Sequence, residues 1–273
     1  MRYRVWEVAI GESCMALAVL LTALVIAKVS PIDALDVRWA TWLADHRSEL
    51  SEDASVWLSL LGGGGVMWPA IGVIVVGLAY TRRSESLVVF ALTISTAQLF
   101  IGPLKAIVAR ARPDDALIVT SGLSFPSGHT VTAAAFSFGL VVAMTPLTRT
   151  RVVWYGLALV WTVCMGLSRT VVGAHWLSDT IGGALYGIGL ACLWSGVVGL
   201  IVLRRYPSVQ PPATRLPALD QPETPEPSLE DVLAHGSSAD GSGRSLPERL
   251  GGASTSAEAP GFEPGRGDKP QPH

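Results

Sequence analysis

The chain has 273 residues, of which 49% are hydrophobic and only 15% charged, and its mean hydropathy is +0.42. A soluble domain carries about 25% charged residues, so this balance excludes an ordinary one and points to a multi-span membrane protein. A net charge of −2, with no Lys/Arg-rich stripe, argues against a nucleic-acid partner. Cys14, Cys164 and Cys192 lie in apolar runs without paired spacing, which fits neither a disulfide framework nor a zinc site.

A helix crossing the hydrocarbon core needs about 20 mostly apolar residues. Six runs qualify as candidates, at about 8–27, 64–80, 86–104, 128–147, 152–168 and 178–203, the second and fifth being short. The first follows the basic start MRYR, as a signal peptide would. However, no clear small-x-small cleavage site precedes Lys28 and Glu12 interrupts the apolar run, so it reads as a span. The expected fold is therefore all-α: a six-helix transmembrane bundle over 1–205.

From about residue 206 to 273 the composition turns to Pro, Gly, Ser and Glu. Such a stretch cannot bury enough apolar surface to offset its chain entropy, so a disordered tail is expected. From 207 onward it holds ten acidic and five basic residues, about −5, against about +3 for the rest. Its Pro-rich segments offer a docking mode for a cytoplasmic partner.

Arg2 and Arg4, Arg82 and Arg83, Arg149 and Arg151, and Arg204 and Arg205 fall in alternating connections. Placing all four inside satisfies the positive-inside tendency and makes both termini cytoplasmic. The segment 28–63 then lies outside, and its Trp39, Trp42 and Trp57 suggest amphipathic stretches at the interface. Lys105, Arg110, Arg112 and Arg169 also fall on the outer side. Ionisable groups at helix mouths in a membrane are functional candidates by default.

Three clusters gather there. In KAIVARARP, Lys105 and Arg112 are seven apart, which predicts one helix face two turns apart, with Pro113 disfavouring helix at Arg112 itself. Two cations suit a phosphate dianion, Lys as a point charge and Arg as a planar fork. In FPSGHT, Ser127 and Gly128 read as a helix start, whose free N–H groups and dipole attract an anion, with His129 in the first turn. In SRTVVGAHWLSD, Arg169 adds a guanidinium, and His175 and Asp179 stand four apart, one helical turn if this part is helical. A carboxylate on one imidazole nitrogen fixes the tautomer and leaves the other free to attack. Asp114 and Asp115 lack the partners of a metal cage and read as a solvated turn. Gly183-x3-Gly187 is a small-x3-small pair that fits internal packing and leaves a homodimer open.

The spacing Lys105-x6-Arg112-Pro113, Pro126-Ser127-Gly128-His129 and Ser168-Arg169-x5-His175-x3-Asp179 resembles the signature of the type 2 phosphatidic acid phosphatase superfamily. This superfamily includes the lipid phosphate phosphatases and the vanadium haloperoxidases. The resemblance covers about 100–185 by motif and about 1–205 by span pattern. It implies a metal-independent phosphatase without cofactors. His175 would be the phosphorus nucleophile, Asp179 its orienting group and His129 the acid for the leaving oxygen. Lys105, Arg112, Ser127, Gly128 and Arg169 would hold the phosphoryl oxygens.

The expected function is hydrolysis of a lipid phosphomonoester or diphosphate at the extracytoplasmic face of the plasma membrane, through a phosphohistidine. Undecaprenyl diphosphate, phosphatidic acid and phosphatidylglycerol phosphate are the candidate substrates. Arg110 could contact headgroups or acidic residues, or serve as the extra cation of a diphosphate site. The alternatives are phosphotransfer to a lipid or sugar acceptor by the same phosphohistidine, and a catalytically silent lipid-binding or transport protein. A silent member would be expected to have lost His129, His175 or Asp179, and all three are present.

Overall fold

A computed structural model describes residues 2–145 and 150–205, with side chains from Trp6 onward. The proposed tail and its boundary at 205/206 lie outside the described residues. Eight helices follow in order: α1 (Arg2–Ile26), α2 (Ser30–His46), α3 (Glu49–Gly62), α4 (Gly64–Tyr80), α5 (Ser84–Val108), α6 (Gly128–Met144), α7 (Arg151–Val171) and α8 (Leu177–Arg205). The described residues are all-helical, as expected.

Every apolar run read as a span lies mainly in one helix: α1, α4, α5, α6, α7 or α8. By length and apolarity four helical segments can cross a membrane: Trp6–Ile26, α5, α7 and α8. The pair α3 and α4, bent by 44° at Gly63, makes a fifth if counted as one span, and α6 is a shorter apolar helix. Segment 28–63, expected to hold amphipathic stretches, forms α2 and α3. Pro31 lies in the first turn of α2, where its missing N–H costs nothing. A capping box between Ser48 and Ser51 starts α3.

Left-handed residues turn the chain where helices end: Lys28 after α1, Arg82 after α4 and Ala109 after α5. The last corrects a sequence expectation. Because α5 stops at Val108 and Ala109 is left-handed (φ 49°), Lys105 and Arg112 do not share a helix face. Arg112 lies on the segment that leads to α6.

α8 is the central post, packing against α1, α5, α6 and α7. Small residues permit this. A Cβ on Gly187 would come within 2.5 Å of Ala134 Cβ, and one on Gly183 within 2.9 Å of the Ser127 carbonyl oxygen. The small-x3-small pair therefore faces α6 within the chain, as close backbone packing in a bilayer requires. Phe90, Ile94, Val131, Ala135 and Leu190 fill the centre, while Val73 (70% exposed) and Leu99 (72% exposed) turn apolar surface outward.

At the end of the bundle opposite Asp179, buried Glu7 on α1 pairs with Arg151 on α7 at 3.0 Å. Glu7 also accepts from Tyr155 Oη at 2.7 Å and Ser195 Oγ at 2.8 Å. Ser195 lies 16 residues beyond Asp179 on α8, about 24 Å along the axis at 1.5 Å per residue. Arg151, counted above among the inner positive charges, is thus neutralised inside the bundle.

Candidate active site

The C-terminal ends of α5 and α7 and the N-terminal ends of α6 and α8 meet at one end of the bundle. Segment 109–127 crosses over them and supplies backbone acceptors. Lys105 donates from Nζ to the carbonyls of Leu123 and Ser124. Arg112 donates to Gly122 and Ser121 at 3.0 Å each, to Leu123 at 3.3 Å and to Ala174 at 2.7 Å. Although no helix face joins them, both cations converge on the Leu123 carbonyl.

His175 lies just before α8 rather than inside it, since α8 begins at Leu177. Its ring is buried between two environments. Nε2 is 3.1 Å from Arg112 Nη1. Nδ1 is 3.5 Å from Asp179 Oδ2, an ion-pair distance rather than a tight hydrogen bond, and 3.4 Å from Ser124 Oγ. A donor facing Nε2 and a carboxylate beyond Nδ1 favour the tautomer with its proton on Nδ1 and its lone pair on Nε2. Burial pushes the His175 imidazole below its usual value, and Arg112 and Lys105 push the same way against Asp179.

Asp179 is fully buried. Its Oδ2 accepts from the Trp176 backbone N–H at 2.9 Å, half of a capping box at the start of α8, and from Ser124 Oγ. Its Oδ1 accepts from Arg110 Nη1 at 2.8 Å. Ser124 carries no motif signal in the sequence, although it immediately precedes FPSGHT. Arg110 is occupied by acidic side chains, which removes the reason for treating it as an extra phosphate ligand and, with it, the hint of a diphosphate substrate.

Ser127 occupies the N-cap position of α6, without a side-chain capping bond, and Gly128 opens the helix, the start expected from Pro-Ser-Gly. The Ser127 N–H donates to the Asp179 carbonyl at 3.0 Å, joining the starts of α6 and α8. At Gly128 an added Cβ would meet only Ile101, at 3.8 Å, so the backbone is accessible there. His129 has Arg169, His175 and Arg112 as electrostatic neighbours. It also lines a cleft of about 230 Å³ with Gly62, Met67, Trp68 and Gln98. Arg169 is 1% exposed. Its Nη2 donates to the Ser55 carbonyl at 3.3 Å, and its own carbonyl accepts from Ala174 and His175 N–H.

All eight residues singled out from the sequence therefore lie at this one end. Chemically, the arrangement joins an imidazole nitrogen facing a guanidinium, a second imidazole, two further cations and a helix N-terminus.

The model of the PAP2 superfamily matches residues 86–201. Phosphatidylglycerophosphatase B of Bacillus subtilis is 33% identical over 141 residues, covering 50% of this chain and 70% of that protein. The chain belongs to the PAP2 superfamily. Lipid A 1-phosphatase of Rhizobium johnstonii is 34% identical over 124 residues, or 41% of this chain and 46% of that protein. Among solved structures, a transmembrane PAP2-type phosphatidylglycerolphosphate phosphatase from Bacillus subtilis superposes with a TM-score of 0.60 at 25% identity. That likeness covers 71% of this chain and 96% of the other. The superfamily match spans α5 to α8 and so contains every residue of the three clusters.

Proposed function

We propose that the chain is a six-span, metal-independent lipid phosphatase that works through a phosphohistidine at the extracytoplasmic face of the plasma membrane. The observation that carries this reading is the 3.1 Å approach of Arg112 Nη1 to His175 Nε2. It puts the nucleophilic lone pair beside a guanidinium able to bind the phosphoryl group under attack.

In the first step His175 Nε2 bonds to phosphorus and the bond from phosphorus to the lipid oxygen breaks. His129 donates a proton to that oxygen, releasing the lipid alcohol. The imidazole becomes positively charged, and Asp179 stabilises it from the Nδ1 side. In the second step water attacks phosphorus, its proton passes to His129, and the N–P bond breaks to release inorganic phosphate. Charge on the equatorial oxygens is held by Lys105, Arg112, Arg169 and the N–H groups at the start of α6. Positioning and charge stabilisation supply most of the catalysis in phosphoryl transfer.

The leaving oxygen must face His129, so the lipid would extend along the cleft lined by Met67 and Trp68. Among the three candidate substrates, phosphatidylglycerol phosphate is placed first, because a phosphatidylglycerophosphatase B is 33% identical and covered over 70% of its length. The positive residues Arg82, Arg83, Arg204 and Arg205 at the opposite helix ends support inner termini and an outer site.

The test is phosphate release by purified protein in mild detergent from phosphatidylglycerol phosphate, phosphatidic acid and undecaprenyl diphosphate, with EDTA present. Release that resists EDTA and is abolished in His175→Ala is expected. Release that survives in His175→Ala would refute the nucleophile, and no release from any lipid would refute the hydrolase reading.

A further inference from the structure

Arg110 stands outside the sequence motif, yet its guanidinium is held by three carboxylates and a hydroxyl. Nη1 donates to Asp179 Oδ1 at 2.8 Å and Ser178 Oγ at 2.6 Å. Nη2 donates to Asp36 Oδ2 at 2.6 Å and reaches Asp33 Oδ1 at 3.4 Å. The plane lies over the Trp176 ring at 5.6 Å. Asp36, on α2, is 1% exposed. Its Oδ1 accepts from the Ser178 N–H at 2.8 Å and its Oδ2 from Ser178 Oγ at 2.6 Å, so α2 caps the start of α8. Arg110 also accepts the Ser124 N–H at its own carbonyl at 2.8 Å. Both groups on the Nδ1 side of His175, Asp179 and Ser124, are therefore held by one residue.

We propose that Asp36 and Arg110 are positioning residues that act on His175 through Asp179, as a carboxylate–guanidinium–carboxylate relay tying α2 to the site. The proposal rests on the phosphohistidine reading for its catalytic consequence. Its physical basis is charge division. A guanidinium paired with Asp179 alone would cancel the carboxylate that must stabilise the His175 imidazolium. With buried Asp36 on its other edge, the three groups carry a net charge of −1, so Asp179 keeps its pull while its orientation is fixed. Asp33, with 47% of its side chain exposed, is screened by solvent and adds little. The other charged or titratable groups that act on His175 are Lys105 from α5, Arg112 from segment 109–127 and His129 from α6, with Arg169 from α7 acting in turn on His129.

The signs for the two ends of the relay are opposite. Asp36→Asn removes a negative charge, which makes the imidazolium harder to form, so His175 titrates at lower pH. Arg110→Gln removes a positive charge, so His175 titrates at higher pH. Both variants should lose about 10- to 100-fold in kcat, as expected when an outer partner orients a reacting group. KM should stay within about threefold, because neither residue is assigned to the substrate.

The experiment is an NMR titration of the His175 ring in full-length protein labelled at histidine nitrogen, for wild type and both variants. It is paired with kcat and KM on phosphatidylglycerol phosphate. Shifts of opposite sign with a loss in kcat are expected. Shifts of the same sign, no shift in either, or a loss confined to KM would overturn the relay. If Arg110→Gln does not fold, Arg110→Lys serves in its place. It keeps the charge and loses the fork, so His175 should titrate near the wild-type pH while kcat falls; full kcat in both Arg110→Lys and Asp36→Asn would overturn the proposal. The titration belongs to the chain itself. Absence of phosphate release from the wild type would therefore count against the phosphatase reading and leave the relay to be decided by the titration.

Discussion

Arg112 Nη1 lies 3.1 Å from His175 Nε2, while Asp179 faces the other ring nitrogen at 3.5 Å. The imidazole is thus held between the cation that would bind its phosphoryl partner and the carboxylate that would stabilise its charged form.

Replacing His175 by Ala should lower kcat by at least about 10³-fold, the scale seen when the reacting member of a catalytic group is removed. Phosphate release under substrate saturation measures this. Circular dichroism should remain wild-type, since the ring supports no helix.

Arg112→Lys keeps the charge but cannot reproduce the fork that now donates to the carbonyls of Ser121, Gly122, Leu123 and Ala174. Losing one to two charge-assisted bonds of about 1.5–3 kcal/mol each predicts a fall in kcat/KM of at least about tenfold. Steady-state kinetics on phosphatidylglycerol phosphate will show whether a point charge suffices.

Burial is the main reason that His175 titrates below its usual value of about 6.5. The nucleophile must be neutral, so it is competent above its pKa and is lost as pH falls through it. The acid limb of kcat/KM is therefore expected below pH 6.5. An acid limb above that value in the wild type would show that another group controls it.

Ser124→Ala removes the hydroxyl that donates to Asp179 Oδ2 and stands 3.4 Å from His175 Nδ1. A hydrogen bond to a buried carboxylate is worth about 1.5–3 kcal/mol, so kcat should drop about 10- to 100-fold with KM little changed. Ser124→Thr, if accommodated, should recover part of the loss.

Glu7→Ala leaves Arg151 charged and buried without its carboxylate, and strands Tyr155 and Ser195 hydroxyls. Breaking one side of a buried pair costs about 3–5 kcal/mol. The midpoint of thermal unfolding in detergent should fall clearly, while KM of the folded fraction stays unchanged because the network lies at the other end of the bundle.

Much of the site was legible because its chemistry is written locally. Pro126-Ser127-Gly128 forecast the start of α6, whereas His175 and Asp179 meet across the turn that precedes α8 and not along one helical turn. Lys105 and Arg112 were brought together for the wrong reason. A seven-residue spacing implies one face only while the helix continues; Pro113 argues against helix at Arg112, but the left-handed turn comes earlier, at Ala109. Ser124 carries no spacing signal of its own, and its role appears only where segment 109–127 folds over Asp179.

The sequence by itself determined the apolar helices, because a bilayer sets the length of its spans, and the residue types that handle phosphate, because they sit in short motifs. Only the tertiary structure decided that Asp36, 142 positions before Ser178, caps α8 and shares Arg110 with Asp179. A buried charge can be satisfied by any partner that packing brings within hydrogen-bond reach, and such a pairing across helices leaves no period or spacing in the chain.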